Sequence, residues 1–130
     1  LAHYRLGQAY AEKQMYNEAI DEFNKLLNLP DGRRSGLMGL AHAYALAGRR
    51  EEAQKTLNGL LELSKHEYVS PGQIGIIYIA LGEKDKAFEY LEEANKVYDL
   101  NLMRMKVERR FDPLRSDPRF NDLVKRIGLP

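Results

Sequence analysis

The fold of this protein is decided by residues 40–53, which read LAHAYALAGRREEA. The stretch predicts one helix, a tight turn at Gly48 and the opening of a second helix. The same kinds of residue return 34 positions earlier and 34 positions later. Three sets of positions keep this spacing: Tyr10, Tyr44 and Tyr78; Ala19, Ala53 and Ala87; and Phe23, Leu57 and Leu91. A period of this length, shared by so many positions, predicts a stack of repeated helix pairs.

The period divides most of the chain into three predicted helix pairs, at about residues 1–31, 34–65 and 69–98. Each pair carries apolar residues at the i, i+3, i+4 and i+7 spacing that gives a helix one buried face. Gly48 and Gly82 are the predicted hinges of the second and third pairs. Ser70 and Pro71 predict the start of the third pair, because serine caps a helix well and proline fits its first turn.

The period is interrupted after residue 98. We expect a short helix over Leu100–Lys106, a turn over Phe111–Leu114, and a last helix that Asp117 caps and Gly128 ends. In the short helix, Leu102, Met103 and Val107 are expected to face inward. A terminal repeat exposes one apolar face that must be covered. We therefore predict that residues 99–130 are a capping helical segment.

The composition excludes several classes of protein. The 130 residues include no cysteine, which rules out disulfides, thiolate metal sites and cysteine nucleophiles. No apolar run approaches the roughly 20 residues that span a bilayer, so no membrane partner is expected. No secretory leader opens the sequence, and we expect a cytoplasmic protein. The sequence begins at Leu1, without Met and within a predicted helix, which suggests a fragment of a longer protein.

The charge is unevenly distributed although the net charge is only +1. Residues 103–130 hold eight Lys and Arg against four Asp and Glu: Arg104, Lys106, Arg109, Arg110, Arg115, Arg119, Lys125 and Arg126 against Glu108, Asp112, Asp117 and Asp122. A basic tail can contact nucleic acid or an anionic surface. Because the acids are interleaved with the bases, a solvated final helix is the preferred interpretation, and nucleic acid ranks below a protein partner.

No catalytic arrangement is visible in the sequence. Acid–base catalysis needs carboxylates forced together in a cleft, whereas the pairs Glu51-Glu52 and Glu92-Glu93 are predicted on outward helix faces. Three histidines lie far apart, at positions 3, 42 and 66, and none has a metal-ligand partner at i+4. No glycine-rich phosphate loop follows a strand. We expect no enzyme activity, no metal and no cofactor.

The repeated positions resemble the tetratricopeptide repeat. The first unit carries the Leu-Gly, Tyr, Ala, Phe and Pro of that pattern at Leu6-Gly7, Tyr10, Ala19, Phe23 and Pro30. The second carries Leu40-Ala41, Tyr44, Ala53 and Leu57, and the third Ile74-Gly75, Tyr78, Ala87 and Leu91. The leading aromatic residue of the pattern is missing from all three. The resemblance implies an all-α, right-handed α-solenoid of three helix-turn-helix units, followed by the cap.

A second resemblance covers residues 68–88, 111–120 and 128–130. These stretches are similar to the C-terminal ends of prokaryotic repeat arrays that follow Ser/Thr protein kinase, cyclase or winged-helix regulator domains. The resemblance implies that an N-terminal effector domain is missing from this sequence. A free-standing repeat protein remains the alternative.

The family resemblance also implies a binding groove, because the first helix of each pair lines the concave side of such a stack. The inward positions are Tyr4, Arg5, Gln8 and Glu12 in the first unit, Ser35, Met38, His42 and Leu46 in the second, and Gln73, Ile76 and Ile79 in the third. Only Arg5 suits the carboxylate clamp that is best known in the family, so that clamp is not expected.

The mixture of apolar and polar positions in the predicted groove suits an extended or helical apolar peptide with a few polar contacts. We therefore predict a non-catalytic scaffold or adaptor that binds a peptide segment, a partner protein or another copy of itself. In the competing interpretation, the capping helices or an upstream repeat fill the groove.

Overall fold

The computed structural model describes residues 2–129, so Leu1 and Pro130, which bound the first predicted unit and the cap, lie outside it. Within these residues there is no β-strand, and the all-α prediction is confirmed. The helices are α1 (Ala2–Glu12), α2 (Tyr16–Leu27), α3 (Arg33–Leu46), α4 (Arg50–Leu63), α5 (Pro71–Ala80), α6 (Lys84–Lys96), the 3-10 helices η1 (Leu100–Arg104) and η2 (Arg109–Leu114), and α7 (Pro118–Ile127). The contacts between helices divide the chain after Val69 into an N-terminal unit (α1 to α4) and a C-terminal unit (α5 to α7).

The N-terminal unit is packed around the ring of Phe23 on α2. Consecutive helices contact one another, and α1 also contacts α3. A Cβ atom at Gly7 of α1 would lie 2.6 Å from the Phe23 ring, and one at Gly39 of α3 would lie 2.2 Å from it. The ring therefore needs a glycine on both sides, because those distances are far shorter than any van der Waals contact. Tyr4 completes the site, with its ring centroid 5.7 Å from that of Phe23.

The turns inside the three helix pairs share one backbone conformation. Gln14, Gly48 and Gly82 lie 34 positions apart and have φ values of 62°, 79° and 77°. Glycine adopts this left-handed region without a steric penalty, whereas glutamine does not. The first pair therefore has the same hinge as the other two, with a residue that the hinge disfavours.

The start of the C-terminal unit is hydrogen-bonded to the buried carboxylate of Asp99. Ser70 caps α5 by accepting a hydrogen bond from the backbone N–H of Gln73 at 3.1 Å, as the sequence predicts. Asp99, which precedes η1, accepts hydrogen bonds from the Ser70 hydroxyl at 2.6 Å, the Gly72 N–H at 2.9 Å and the Asn101 N–H at 2.9 Å. Burial alone raises the pKa of Asp99, but these hydrogen bonds outweigh burial and hold the pKa below its usual value. The carboxylate therefore joins the start of the cap to the start of α5.

The first part of the cap differs from the prediction. Leu102 is buried as expected, but Met103 and Val107 are exposed, and Met105 is the second buried residue. The reason is that η1 is a 3-10 helix with three residues per turn, which places residues three apart on one face. The predicted turn over Phe111–Leu114 is also wrong, because these residues end the 3-10 helix η2 and bury both Phe111 and Leu114.

The last helix agrees with the prediction and keeps the period. Asp117 caps α7, Pro118 opens it, and Gly128 ends it with a left-handed φ of 84°. The second helices of the three pairs begin at residues 16, 50 and 84, and α7 begins at 118, one further period along. Arg119 of α7 lies against α6, 2.9 Å from Asp85 and 4.4 Å from the centroid of the Phe88 ring. The Arg126 guanidinium also donates to Glu92 of α6.

Candidate functional site

The predicted groove positions on α3 form its accessible stripe. Helix α3 packs against α1, α2 and α4, which buries most of its residues. Ser35, Met38 and His42 stay half-buried and Leu46 is exposed, at the i, i+3, i+7 and i+11 spacing of one helix face. This stripe has an apolar character at Met38 and Leu46 and a polar character at Ser35 and His42. It can therefore offer a ligand both apolar area and hydrogen bonds.

Helix α1 carries the other accessible positions of the N-terminal unit. Arg5 and Glu12 are exposed, and Tyr4 and Gln8 are half-buried. Because α1 and α3 are in direct contact, these side chains and the α3 stripe belong to neighbouring helices of one unit. We call the eight positions the α1/α3 face: Tyr4, Arg5, Gln8, Glu12, Ser35, Met38, His42 and Leu46. Each of them keeps accessible surface.

The predicted groove positions on α5 need a correction. Gln73, Ile76 and Ile79 are buried, and Ile76 has no accessible surface at all. Within its unit, α5 packs against α6, η1 and η2. A buried side chain cannot contact a ligand without rearrangement, so these three residues belong to the core of the C-terminal unit. The sequence carried a signal for this result, because a helix that is apolar nearly all round is typical of burial on more than one side.

The buried acid Glu22 forms ion pairs inside the N-terminal unit. Glu22 of α2 lies 2.8 Å from the His3 ring nitrogen Nδ1 and 3.0 Å from the Lys25 ammonium. The hydrogen bond with His3, followed by that from Lys25, lowers the pKa of Glu22. Glu22 is therefore satisfied as a structural anion.

Three of the four carboxylates singled out in the sequence, those of Glu52, Glu92 and Glu93, form ordinary ion pairs. Glu52 accepts a bidentate contact from Arg49 on the same helix turn, at 2.7 Å and 2.6 Å. Glu92 is bound by Arg126, and Glu93 lies 3.8 Å from Lys96. In residues 2–129, no group of three or more His, Asp or Glu side chains is placed to hold a metal ion.

Four arginines of residues 99–130 form ion pairs within the C-terminal unit. Arg110 pairs with Glu108 at 3.0 Å and Arg115 with Asp112 at 2.7 Å. Arg119 pairs with both Asp85 and Asp117, and Arg126 with both Glu92 and Asp122. Ion pairs of this kind reduce the positive charge that the tail presents to a polyanion. The remaining four basic residues are exposed: Arg104, Lys106, Arg109 and Lys125.

Sequence reasoning missed one surface feature. Tyr98 follows α6 in a left-handed conformation, with φ of 56°, and 89% of its surface is exposed. Leu100 and Met103 of η1, which follow it in the sequence, are also exposed. The spacing of Leu102 and Met105 fits both a 3-10 helix and an α-helix, so the sequence carried no local signal for this feature.

No helix in the described part of the chain combines the length and the apolar character needed to cross a bilayer. A family model described as a tetratricopeptide repeat matches residues 1–29, and a second model with the same description matches residues 35–67 and 72–98. Together the matches cover most of the sequence. Neither the curated proteins nor the solved structures gave a significant match.

Proposed function

Because the chain belongs to the tetratricopeptide repeat family, we propose that it is a non-catalytic interaction module that binds a peptide segment of a partner protein on its α1/α3 face. The observation that carries the proposal is the difference in exposure between the predicted groove positions. All eight positions on α1 and α3 keep accessible surface, although both helices bury residues on their other sides. The three on α5 are buried, with at most 7% of their surface accessible, and the proposed face therefore excludes them.

The composition of the α1/α3 face indicates the kind of peptide that would bind. Tyr4, Met38 and Leu46 supply apolar area, and Gln8 and His42 can form hydrogen bonds with a peptide backbone. The exposed charges are one Arg and one Glu, so the face has no strong preference for either sign. An apolar peptide with a few polar groups fits this surface, with an ordinary micromolar affinity of about −8 kcal/mol.

The test is a selection of binders from a displayed random peptide library on the wild-type protein. The recovered peptides are then measured by fluorescence polarisation against a double variant, Met38→Glu with His42→Glu. We expect at least a tenfold loss of affinity, about 1.4 kcal/mol, because the variant adds two negative charges and removes an apolar anchor. The matched control is His66→Glu, which makes the same chemical change at an exposed position after α4.

Circular dichroism must show that the double variant keeps the wild-type helicity. If the variant is folded and every selected peptide binds it as tightly as the wild type, the α1/α3 face is not the binding site. The molecular mass of the wild type in solution is also measured at increasing protein concentration. If this mass increases and the double variant abolishes the increase, the ligand is instead a second copy of the chain.

We further propose that the module is the recruiting arm of a prokaryotic signalling protein in the cytoplasm. The support for this finer function is the similarity of residues 68–88 and 111–120 to the ends of such proteins. The test is to sequence the coding DNA upstream of Leu1. A kinase, cyclase or DNA-binding domain there would support the proposal, and only further repeats or an adjacent start codon would contradict it.

A further inference from the structure

Exposed apolar side chains are concentrated in one short segment of the C-terminal unit. Five of the eleven residues from Val97 to Val107 are large, apolar or aromatic, and exposed: Val97, Tyr98, Leu100, Met103 and Val107. In the N-terminal unit, the exposed residues of this type are scattered singly from Leu6 to Tyr68. Single exposed apolar residues are normal on a protein surface, whereas a concentration of them marks an interaction site.

The geometry of η1 explains why these residues point outward together. A 3-10 helix has three residues per turn, so Leu102 and Met105 share the buried side while Leu100 and Met103 share a different side, about 120° away, which is exposed. Asp99 fixes this arrangement, because its carboxylate accepts hydrogen bonds from Ser70, Gly72 and Asn101. The outward residues are therefore held on an anchored segment.

The fully exposed charges of residues 97–109 are all positive. Of the two acids in this range, Asp99 is buried, and the half-buried Glu108 accepts a hydrogen bond from Arg110 at 3.0 Å. Arg104, Lys106 and Arg109 are exposed. The folded segment thus presents mainly apolar and basic groups to solvent, while its acidic groups accept hydrogen bonds from other residues of the C-terminal unit.

Tyr98 provides a second, independent observation. Its φ of 56° lies in the left-handed region, where a bulky residue is an outlier. Backbone strain of this kind persists where the surrounding structure imposes it, and it occurs more often at functional sites. Here the strained backbone holds an aromatic ring in solvent, where it stabilises no part of the core.

We propose that this basic-apolar face, defined by Tyr98, Leu100, Met103 and Val107 with Arg104 and Arg109, docks an amphipathic acidic segment of a partner protein. Charge complementarity selects the acidic character of the segment, and the exposed apolar residues select its apolar side. The face lies in the C-terminal unit and shares no residue with the α1/α3 face. Lys106, which belongs to the same segment, also lines an open depression with Arg115, Phe120 and Val124, where an apolar side chain of the partner can enter.

The probe is a displayed random peptide library, selected on the wild-type protein at low salt. Each recovered peptide is measured against an apolar variant, Leu100→Ser with Met103→Ser, and a charge variant, Arg104→Glu with Arg109→Glu. The matched control is Lys13→Glu with Lys55→Glu, which makes the same change in charge at exposed positions of the N-terminal unit. We expect one class of peptides to be rich in Asp, Glu and large apolar residues. Both face variants should weaken this class at least tenfold, and the control should not.

Tyr98→Gly separates binding from folding. Glycine adopts the left-handed conformation readily, so this variant should melt at or above the wild-type temperature while it binds the acidic peptides more weakly. A Tyr98→Gly protein that melts at a lower temperature and binds as tightly as the wild type would contradict the role of the ring.

Three other results would overturn the proposal. The first is a selection that yields no acidic class, or an acidic class that both face variants bind like the wild type. The second is binding to phosphatidylserine vesicles through the same residues without any acidic peptide, which would make the face a membrane contact. The third is self-association that Met103→Ser abolishes without any acidic peptide, which would make a second copy the occupant.

Discussion

Helices α3 and α5 occupy equivalent places in the repeat, but the predicted groove positions of α3 keep accessible surface and those of α5 are buried. His42 of α3 and Ile76 of α5 lie 34 positions apart, and only His42 keeps accessible surface. In the C-terminal unit, η1 and η2 both contact α5. The place of a residue in the repeat therefore does not decide its exposure. Exposure depends on which elements pack against its helix, and the residue is polar at the accessible position and apolar at the buried one.

The largest effect is expected from removing a buried aromatic ring in the C-terminal unit. Phe111 of η2 is fully buried, and Phe111→Ala should lower the free energy of unfolding by about 3–5 kcal/mol, because it removes a ring and leaves a cavity. Urea denaturation followed by circular dichroism measures this loss. Met103→Ala on the exposed side of η1 is the control and should change stability by less than about 0.5 kcal/mol. Similar losses in both variants would mean that the buried and exposed faces of the cap are wrongly assigned.

A reciprocal exchange tests the comparison directly. Ile76→His places an imidazole where there is no accessible surface, and it should destabilise the protein by about 3 kcal/mol. His42→Ile places an apolar side chain at the half-buried equivalent position, and it should change stability by less than about 1 kcal/mol. Thermal and chemical denaturation of the two variants give the answer. Equal costs would show that α3 and α5 are equally buried in solution.

A smaller effect is expected at the left-handed turns inside the helix pairs. Gln14 has the same left-handed backbone as Gly82, so Gln14→Gly should stabilise the protein by up to about 1 kcal/mol. Gly48→Gln is the matched reverse change. A Cβ atom at Gly48 meets no atom within 4 Å, so any loss of stability there comes from the backbone alone. Melting temperatures that move in the same direction in both variants would contradict the shared conformation.

The smallest effect concerns the residue that caps the start of α7. Hydrogen bonds from Arg119 lower the pKa of Asp117 from 3.8 to about 2. Because the folded pKa is depressed, the contribution of Asp117 to stability is complete above pH 3.8 and is lost as the pH falls towards 2. Carbon-detected NMR titration measures the pKa. In Arg119→Gln it should rise towards 3.8, whereas a pKa that stays near 2 would assign the shift to another partner.

The repeated part of the fold could be predicted from the sequence because its signals are local. The spacing of Tyr10, Tyr44 and Tyr78 sets the helix pairs, and Ser70, Asp117 and Gly128 each act within one helix turn of their own position. The cap was less predictable. Whether Met103 faces inward depends on a choice between a 3-10 helix and an α-helix, and contacts with α5 and α6 made that choice. Propensity alone cannot resolve it.

The candidate site was predictable only in part for the same reason. The helix period identifies which side of α3 carries Ser35, Met38, His42 and Leu46. It does not reveal that η1 and η2 pack on α5, because that contact depends on residues about 30 positions further along the chain. Exposure of a groove position is a tertiary property, and the apolar character of α5 was its only local sign.

The position of α7 in the repeat period has a consequence for which helix it contacts. Its arginines contact Asp85, Phe88 and Glu92 of α6, and α7 begins one period after α6. The second helix pair has Glu51, Gln54 and Asn58 at the equivalent positions, and the first helix pair has Asn17, Ile20 and Asn24. Neither earlier helix offers the same pair of acids around an aromatic ring. The contacts that α7 makes therefore match the side chains of α6 and not those of the two equivalent earlier helices.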